Sequence, residues 1–360
     1  MKILLAWALL LNLSMSSFGN DGVYLTKGGL IYPTQETKIS LEKEILTFKV
    51  RDHIAYVSIQ FEFNNPETID RKLLVGFQAP TAEGDVPDSL SNTNQIKDFI
   101  IIQSGTILPY TLKSADCDTC ELKDPTEIHF SQFNTGLFVF LFEITFKPGM
   151  NRLDHSYNFP ASHNVAFDQF YKYILTTGSK WAGEKIKELT VNIDMGQNKY
   201  FYVNDIYGRS ADWSVIGTGK LTDEKFDYVD ADTCRMVRTL SGYLQIKVTD
   251  FQPIKNIEFG IVSDHSFAVW PVYYEKFRDG SIASIGDLSL NADHTLEELR
   301  LLRNTIYAQY GYDFKDAALK QYFSQFAWYM PDPNLKMGDI EMTEAEKEYV
   351  TKILMLEKER

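Results

Sequence analysis

Ala55-Tyr-Val-Ser-Ile-Gln-Phe-Glu-Phe63 alternates apolar and polar side chains. Successive residues of an extended strand point to opposite faces, so Val57, Ile59, Phe61 and Phe63 share one face while Tyr56, Ser58, Gln60 and Glu62 share the other. The pattern is that of a strand with one side in a core and one in water. The run before it, Lys38 to Val50, puts Leu46, Phe48 and Val50 on one face and turns at Arg51-Asp52. The two runs predict a meander. Asn64-Asn65-Pro66 ends it, because proline cannot donate to a sheet ladder and asparagine suits turns.

Outward from this pair the period of two continues. Leu73 to Phe77 is a further strand, Pro80 to Gln95 a polar loop, and Ile96–Gln103 with Ile107–Leu112 a hairpin across Ser104-Gly105. Leu137 to Phe142 is apolar on both faces and reads as a central strand. A first β domain closes near Pro148-Gly149, and Asn158 to Asn164 crosses into a second. That second domain contains seven short runs separated by turn residues: 171–177, 188–193, 200–206, 235–240, 243–248, 257–262 and 267–274. Short strands at this spacing suggest a sandwich, and 24 Phe and 20 Tyr suit pleated surfaces.

After a polar stretch from Arg278 to Asp293 the period changes to 3.6. Thr295 and Glu298 form a capping box, and Leu299, Leu302, Ile306 and Tyr310 follow at helical spacing until Gly311 stops the helix. Tyr312 is placed to fold back on Ile306 or Tyr307. Asp316 caps a second helix carrying Leu319, Tyr322, Phe323 and Phe326, which Pro331 and Pro333 forbid from continuing. Thr343 and Glu346 open a third, with Tyr349, Val350, Ile353 and Leu356 as its buried stripe. The expected architecture is multidomain and mainly β: two antiparallel β-sandwich-like domains (20–157 and 158–277), a linker (278–294) and a small all-α, three-helix domain (295–360).

The N-terminus carries one cation, about eleven mostly apolar residues and then small polar ones, the pattern of a signal peptide over 1–19 cleaved after Gly19 with Ser17 at the minus-three position. Its apolar core is shorter than the ~20 residues a spanning helix needs. No later stretch reaches that length. The expected location is therefore periplasmic or extracellular, a compartment in which disulfides persist. Cys117, Cys120 and Cys234 are the disulfide candidates; the odd count leaves one thiol over, and free thiols or metal or redox chemistry at Cys117-x-x-Cys120 are the alternatives. Asp116, Asp118 and Glu121 oppose the thiolate a redox site requires. The net charge of -13 disfavours nucleic acid and anionic lipid as partners.

Two resemblances add to this reading. The first two thirds loosely resemble an uncharacterised bacterial family of exported β-rich proteins of unknown function, through Gly28-Gly29-Leu30, Phe61 to Asn65, Val75 to Pro80 and Tyr173 to Gly178 with Trp181. About residues 296–360 resemble the YARHG domain, through Leu299-Arg300, Leu302-Arg303-Asn304, Ile306, Tyr307-Ala308, Gly311-Tyr312, Phe314, Phe323, Trp328-Tyr329, Pro331 and Pro333. That resemblance implies an extracytoplasmic module associated with envelope or signalling proteins. Gln309 stands where the family has Arg and Tyr310 where it has His. Gln is neutral and Tyr gains no proton near pH 7, which separates this chain from any charge-based role of those two positions.

No nucleophile elbow, zinc-binding histidine pair, phosphate loop or dinucleotide fingerprint is present. The six histidines read as loop or surface residues, and Asp154-His155 and Ser162-His163 make no relay, because neighbours on a strand face opposite ways. No cofactor and no metal are expected. The leading expectation is a non-catalytic exported protein, a β scaffold whose helical module binds a cell-envelope component or protein partner through Tyr307, Gln309, Tyr310, Trp328 and Tyr329. Its competitor for those rings is a plain helical core. The alternative function is an extracytoplasmic hydrolase with loop carboxylates such as Asp85, Asp88 or Asp116.

Overall fold

The computed structural model describes residues 24–25, 27–29, 31–35, 37–80, 83–84, 94–115, 137–164, 167–197, 199–204, 212–222, 234–262, 294–326, 329–342 and 344–360. The signal segment, Cys117, Cys120 and the expected 267–274 strand fall outside them. The longer strands are Ser40–Arg51 (β1), Ile54–Asn65 (β2), Arg71–Pro80 (β3), Lys97–Gln103 (β4), Tyr110–Ala115 (β5), Leu137–Phe146 (β6) and Gly149–Pro160 (β7). Then come Phe167–Ile174 (β8), Ile186–Asp194 (β9), Lys199–Asn204 (β10), Ser214–Thr222 (β11), Cys234–Phe251 (β12) and Ile257–Val262 (β13). The helices are Leu296–Gln309 (α1), Ala317–Ser324 (α2) and Glu344–Lys358 (α3).

The protein is mainly β, with sandwich-like sheets followed by a three-helix segment. β2 buries Val57, Ile59, Phe61 and Phe63 and exposes Tyr56, Ser58 and Gln60, as the alternation requires. The turn that joins it to β1 is Asp52-His53, one residue later than expected, with both residues at positive φ (49° and 61°). That mirror-image turn matches the twist of its flanking strands.

A 15-stranded sheet carries β8–β13–β10–β12–β9–β1–β2–β7–β4 along its middle, with β11 paired to β12. A four-stranded sheet, β5–β6–β3 with Ile31–Pro33, packs on it. The chain passes between sheets directly after the short partner of β4, Thr106–Ile107: β5 begins at Tyr110 and pairs with β6, so the expected hairpin is divided between two sheets. Phe99 of β4 stacks on Phe140 of β6 at 4.1 Å, and Phe77 meets Phe99 at 5.2 Å. Trp181 fills the space beside Phe63, with its indole N–H donating to the Ile31 carbonyl. The large sheet also coils on itself, bringing Phe48 of β1 to 5.5 Å from Tyr173 of β8 and 5.0 Å from Phe259 of β13.

Three features depart from expectation. β9 runs parallel to β1, and Lys27–Gly29 parallel to β8, within an otherwise antiparallel set. The 157/158 division falls inside β7, and the β1–β9 ladder carries the sheet across it. The 235–240 and 243–248 runs are one strand, β12, because Ser241-Gly242 continues opposite Gly217-Thr218 of β11. Gly242 has φ +90°, and a Cβ there would lie 2.0 Å from the Ile216 carbonyl oxygen. Sequence periodicity reads Ser241-Gly242 as a turn, whereas the structure uses Gly242 for close passage of two strands.

In the helical segment the Thr295–Glu298 capping box forms in both directions, and Asp316 accepts from the Ala318 and Leu319 amides. Thr343 lies outside the described residues. The three stripes do not merge into one core. Leu299, Leu302 and Ile306 pack on Tyr349, Val350 and Ile353 of α3, whereas Ala308 joins Phe314, Leu319, Phe323 and Tyr329 around α2. α1 is thus apolar on two sides and is the shared wall of two small cores.

Candidate functional site

The end of α1 is built by backbone hydrogen bonds. The Tyr312 amide donates to the Tyr307 carbonyl at 3.1 Å and the Gly311 amide to the Ala308 carbonyl at 2.9 Å, with Gly311 at φ +84°. This pair of bonds is the Schellman closure, which needs a left-handed residue at Gly311. Tyr312 folds back on Tyr307, ring centroids 6.5 Å apart.

This turn rests on the sheet. Arg238 of β12 is 3% exposed, and its guanidinium donates to the carbonyls of Lys199, Thr239 and Gln309. Lys220 of β11 donates to the Tyr329 carbonyl at 3.2 Å, and Tyr200 of β10 packs into the aromatic core around α2. A cation at a helix C-terminus faces both unsatisfied carbonyls and the negative end of the macrodipole. Burial lowers the Arg238 pKa to about 10, which leaves the group charged. Sequence reading missed Arg238 and Lys220, which carry no motif; the signal available was only an arginine between apolar neighbours in the strand.

The five residues expected to bind separate. Tyr329 is 3% exposed, donates its hydroxyl to the Tyr312 carbonyl at 2.9 Å, and belongs to the core. Tyr310 packs against the α1–α3 core and donates to Glu346 Oε2 at 2.7 Å. Tyr307 and Gln309 are half-buried, and Trp328 lies outside the described residues. Tyr307, Gln309 and Tyr310 therefore share one half-exposed helix end, while Tyr329 sits beneath it.

The remaining chemistry is sparse. Asp154 and His155 face opposite sides of β7: Asp154 is half-exposed and pairs with Arg152 at 3.0 Å, whereas His155 is 3% exposed. His155 and His294 are both buried, contrary to the expectation of loop or surface histidines. Cys234 is a buried free thiol beside Phe167, Phe170, Tyr202 and Met236, and burial pushes its pKa up to about 12. Among the described residues no three His, Cys, Asp or Glu side chains converge as a metal set. A depression of about 340 Å³ lies on the outer face of β1, β2, β7 and β4, lined by Ile45, Thr47, Ser58, Gln60, Ile102, Asp154 and Ser156 with parts of Ile59 and His155. It holds one carboxylate. Asp85, Asp88 and Asp116 lie outside the described residues.

Together these define a β-sandwich scaffold with a docked helical module. Residues 286–358 match the YARHG domain. No curated protein matches the chain. Among solved structures, it is similar to a Legionella pneumophila protein to which nutrient binding is ascribed. That likeness has 18% identity and a TM-score of 0.53 over 94% of this chain and 100% of that one, so it speaks to the fold. Among the described residues, no helix is long and apolar enough to cross a membrane.

Proposed function

We propose that the protein is a non-catalytic exported protein whose β scaffold presents the helical module to a cell-envelope component or protein partner. The supporting observation is the fixed helix end: Arg238 holds the last turn of α1, and Lys220 the Tyr329 carbonyl, against the sheet. Tyr307, Gln309 and Tyr310 are thereby held in place before any ligand arrives, which lowers the ordering cost of binding. The signal-like N-terminus and the YARHG match support export.

The test is co-sedimentation of the full mature chain with purified cell-wall sacculi, comparing wild type with Gln309→Ala. That substitution removes a half-buried side chain while keeping the carbonyl that Arg238 holds. Weaker sedimentation with an unchanged melting temperature is the expected result. No sedimentation by the wild type removes the wall as partner, and equal sedimentation of both chains removes the helix end as the contact.

A further inference from the structure

Cross-strand register places a row of uncharged hydrogen-bonding side chains across six neighbouring strands. Ser156 of β7 pairs with Ser58 of β2, Ser58 with Thr47 of β1, Thr47 with Asn192 of β9, Asn192 with Gln245 of β12, and Gln245 with Ser214 of β11. All six are half-exposed or exposed. At the usual strand separation the row is ~24 Å long.

The row is organised in advance. Gln245 Nε2 donates to Asn192 Oδ1 at 2.8 Å, Asn192 Nδ2 donates to Thr47 Oγ1 at 3.1 Å, and Ser214 donates to the Gln245 carbonyl at 3.2 Å. Each amide keeps a second N–H for a ligand, and each serine hydroxyl both donates and accepts. One end of the row runs into the 340 Å³ depression, where Ile45 and Ile102 supply apolar walls. Tyr56, 47% exposed, stands two residues along β2 from Ser58 on the same face.

Charge selects the occupant. The chain carries -13 overall, yet the row carries none. Beside the row stand two closed ion pairs, Arg152–Asp154 at 3.0 Å and Arg51–Asp194 at 2.8 Å, and, in the adjacent rows, the exposed Lys49 and Lys247. A polyanion laid along the row would find no counter-charge among its six side chains, the lysines standing one row to either side. A peptide backbone would find no open main-chain groups on a sheet face, since its donors and acceptors are spent within the ladders. A linear sugar chain offers hydroxyls that donate and accept along its edge, and C–H faces for isoleucine and tyrosine.

We propose that this outer face binds an extended, neutral glycan, laid across the strands along Ser156, Ser58, Thr47, Asn192, Gln245 and Ser214 with its end in the depression. The site is separate from the helix end and stands or falls independently of it.

Calorimetric titration of the full mature chain with cellohexaose, maltohexaose and, as the charged comparison, hexagalacturonate tests this. Binding of one neutral hexasaccharide and none of the charged one is expected. Asn192→Asp with Gln245→Glu keeps side-chain shape, adds two charges to the row, and is expected to weaken that binding roughly tenfold or more, the loss of one or two good hydrogen bonds. Thr47→Val, which removes one hydroxyl at constant shape, is the smaller step and guards against failure of the double variant to fold. Absence of binding by either neutral sugar, preference for the charged one, or neutral binding that neither variant weakens would overturn the proposal.

Discussion

Glu44 sits wholly inside the core, a position few carboxyls occupy without a cation. A bulge in β1 between Leu41 and Lys43 turns both Leu41 and Glu44 inward, where Tyr173 donates to Glu44 Oε1 at 3.2 Å and Oε2 finds no partner. Burial raises its pKa from an ordinary 4.5 to about 8. The folded state thus holds a proton that the unfolded chain releases, and stability falls as pH rises from about 4.5 to about 8, by up to ~1.4 kcal/mol per unit. His155 acts in the opposite sense. Its Nδ1 meets the Ile100 carbonyl at 2.8 Å, which only a donor N–H can satisfy, its ring packs on Phe77, Phe99 and Tyr157, and Nε2 is buried without a partner. Burial lowers its pKa from 6.5 to about 4, so stability is lost as pH falls through that window. Glu44→Gln should leave stability near pH 4 almost unchanged and raise it increasingly toward pH 8. Urea midpoints measured from pH 4 to 9 would show it; a constant offset at every pH would refute the assignment. In the same series His155→Phe should flatten the acid limb between about pH 6.5 and 4.

At the scale of the element, α1 shows how much the sequence declares. Its capping box, its stripe of Leu299, Leu302 and Ile306, and its glycine stop are all local signals, and all three form as spacing requires. Its second apolar side was not legible, because Ala308 and the half-buried Leu301 and Tyr307 become a wall only when α2 and Tyr329 arrive. The aromatic cluster was ambiguous for the same reason: the four rings Tyr307, Tyr310, Trp328 and Tyr329 serve a core or a ligand equally well in the sequence, and only burial separates Tyr329 from Tyr307. Gly311 carries more than its φ of +84°, since a Cβ there would stand 2.6 Å from the Met330 carbonyl oxygen. Gly311→Ala therefore meets both backbone strain and a main-chain clash that no rotamer relieves, and should cost about 2–3 kcal/mol. Thermal unfolding would measure this, with Gly338→Ala as comparison, where nothing lies within 4 Å of the added atom.

Across the whole molecule, the strands were legible and their partners were not. Alternation marks Val57 to Phe63 as a buried face, but nothing in residues 186–194 states that they pair parallel to β1, since pairing over that separation leaves no periodic trace. Arg238 is the same problem in one residue: marked by no motif, it joins β10, β12 and α1 through three carbonyls. Arg238→Met keeps the length and apolar stem, removes the donors and leaves buried acceptors unmet, at roughly 2–4 kcal/mol. If Arg238 fixes the module to the sheet, amide hydrogen exchange should quicken at the C-terminal turn of α1 and around Gly311–Asp332, whose backbone bond lies in the docked segment. The α1–α3 core of Leu302, Ile306 and Ile353 should stay protected, because those contacts do not involve β12. Arg303→Gln, which breaks the half-buried pair with Glu357, should give the reverse pattern, loosening α3 while the docked turn keeps its protection. Uniform loss of protection over α1, α2 and α3 in both variants would show instead one cooperative helical unit, in which no single contact decides how it is held.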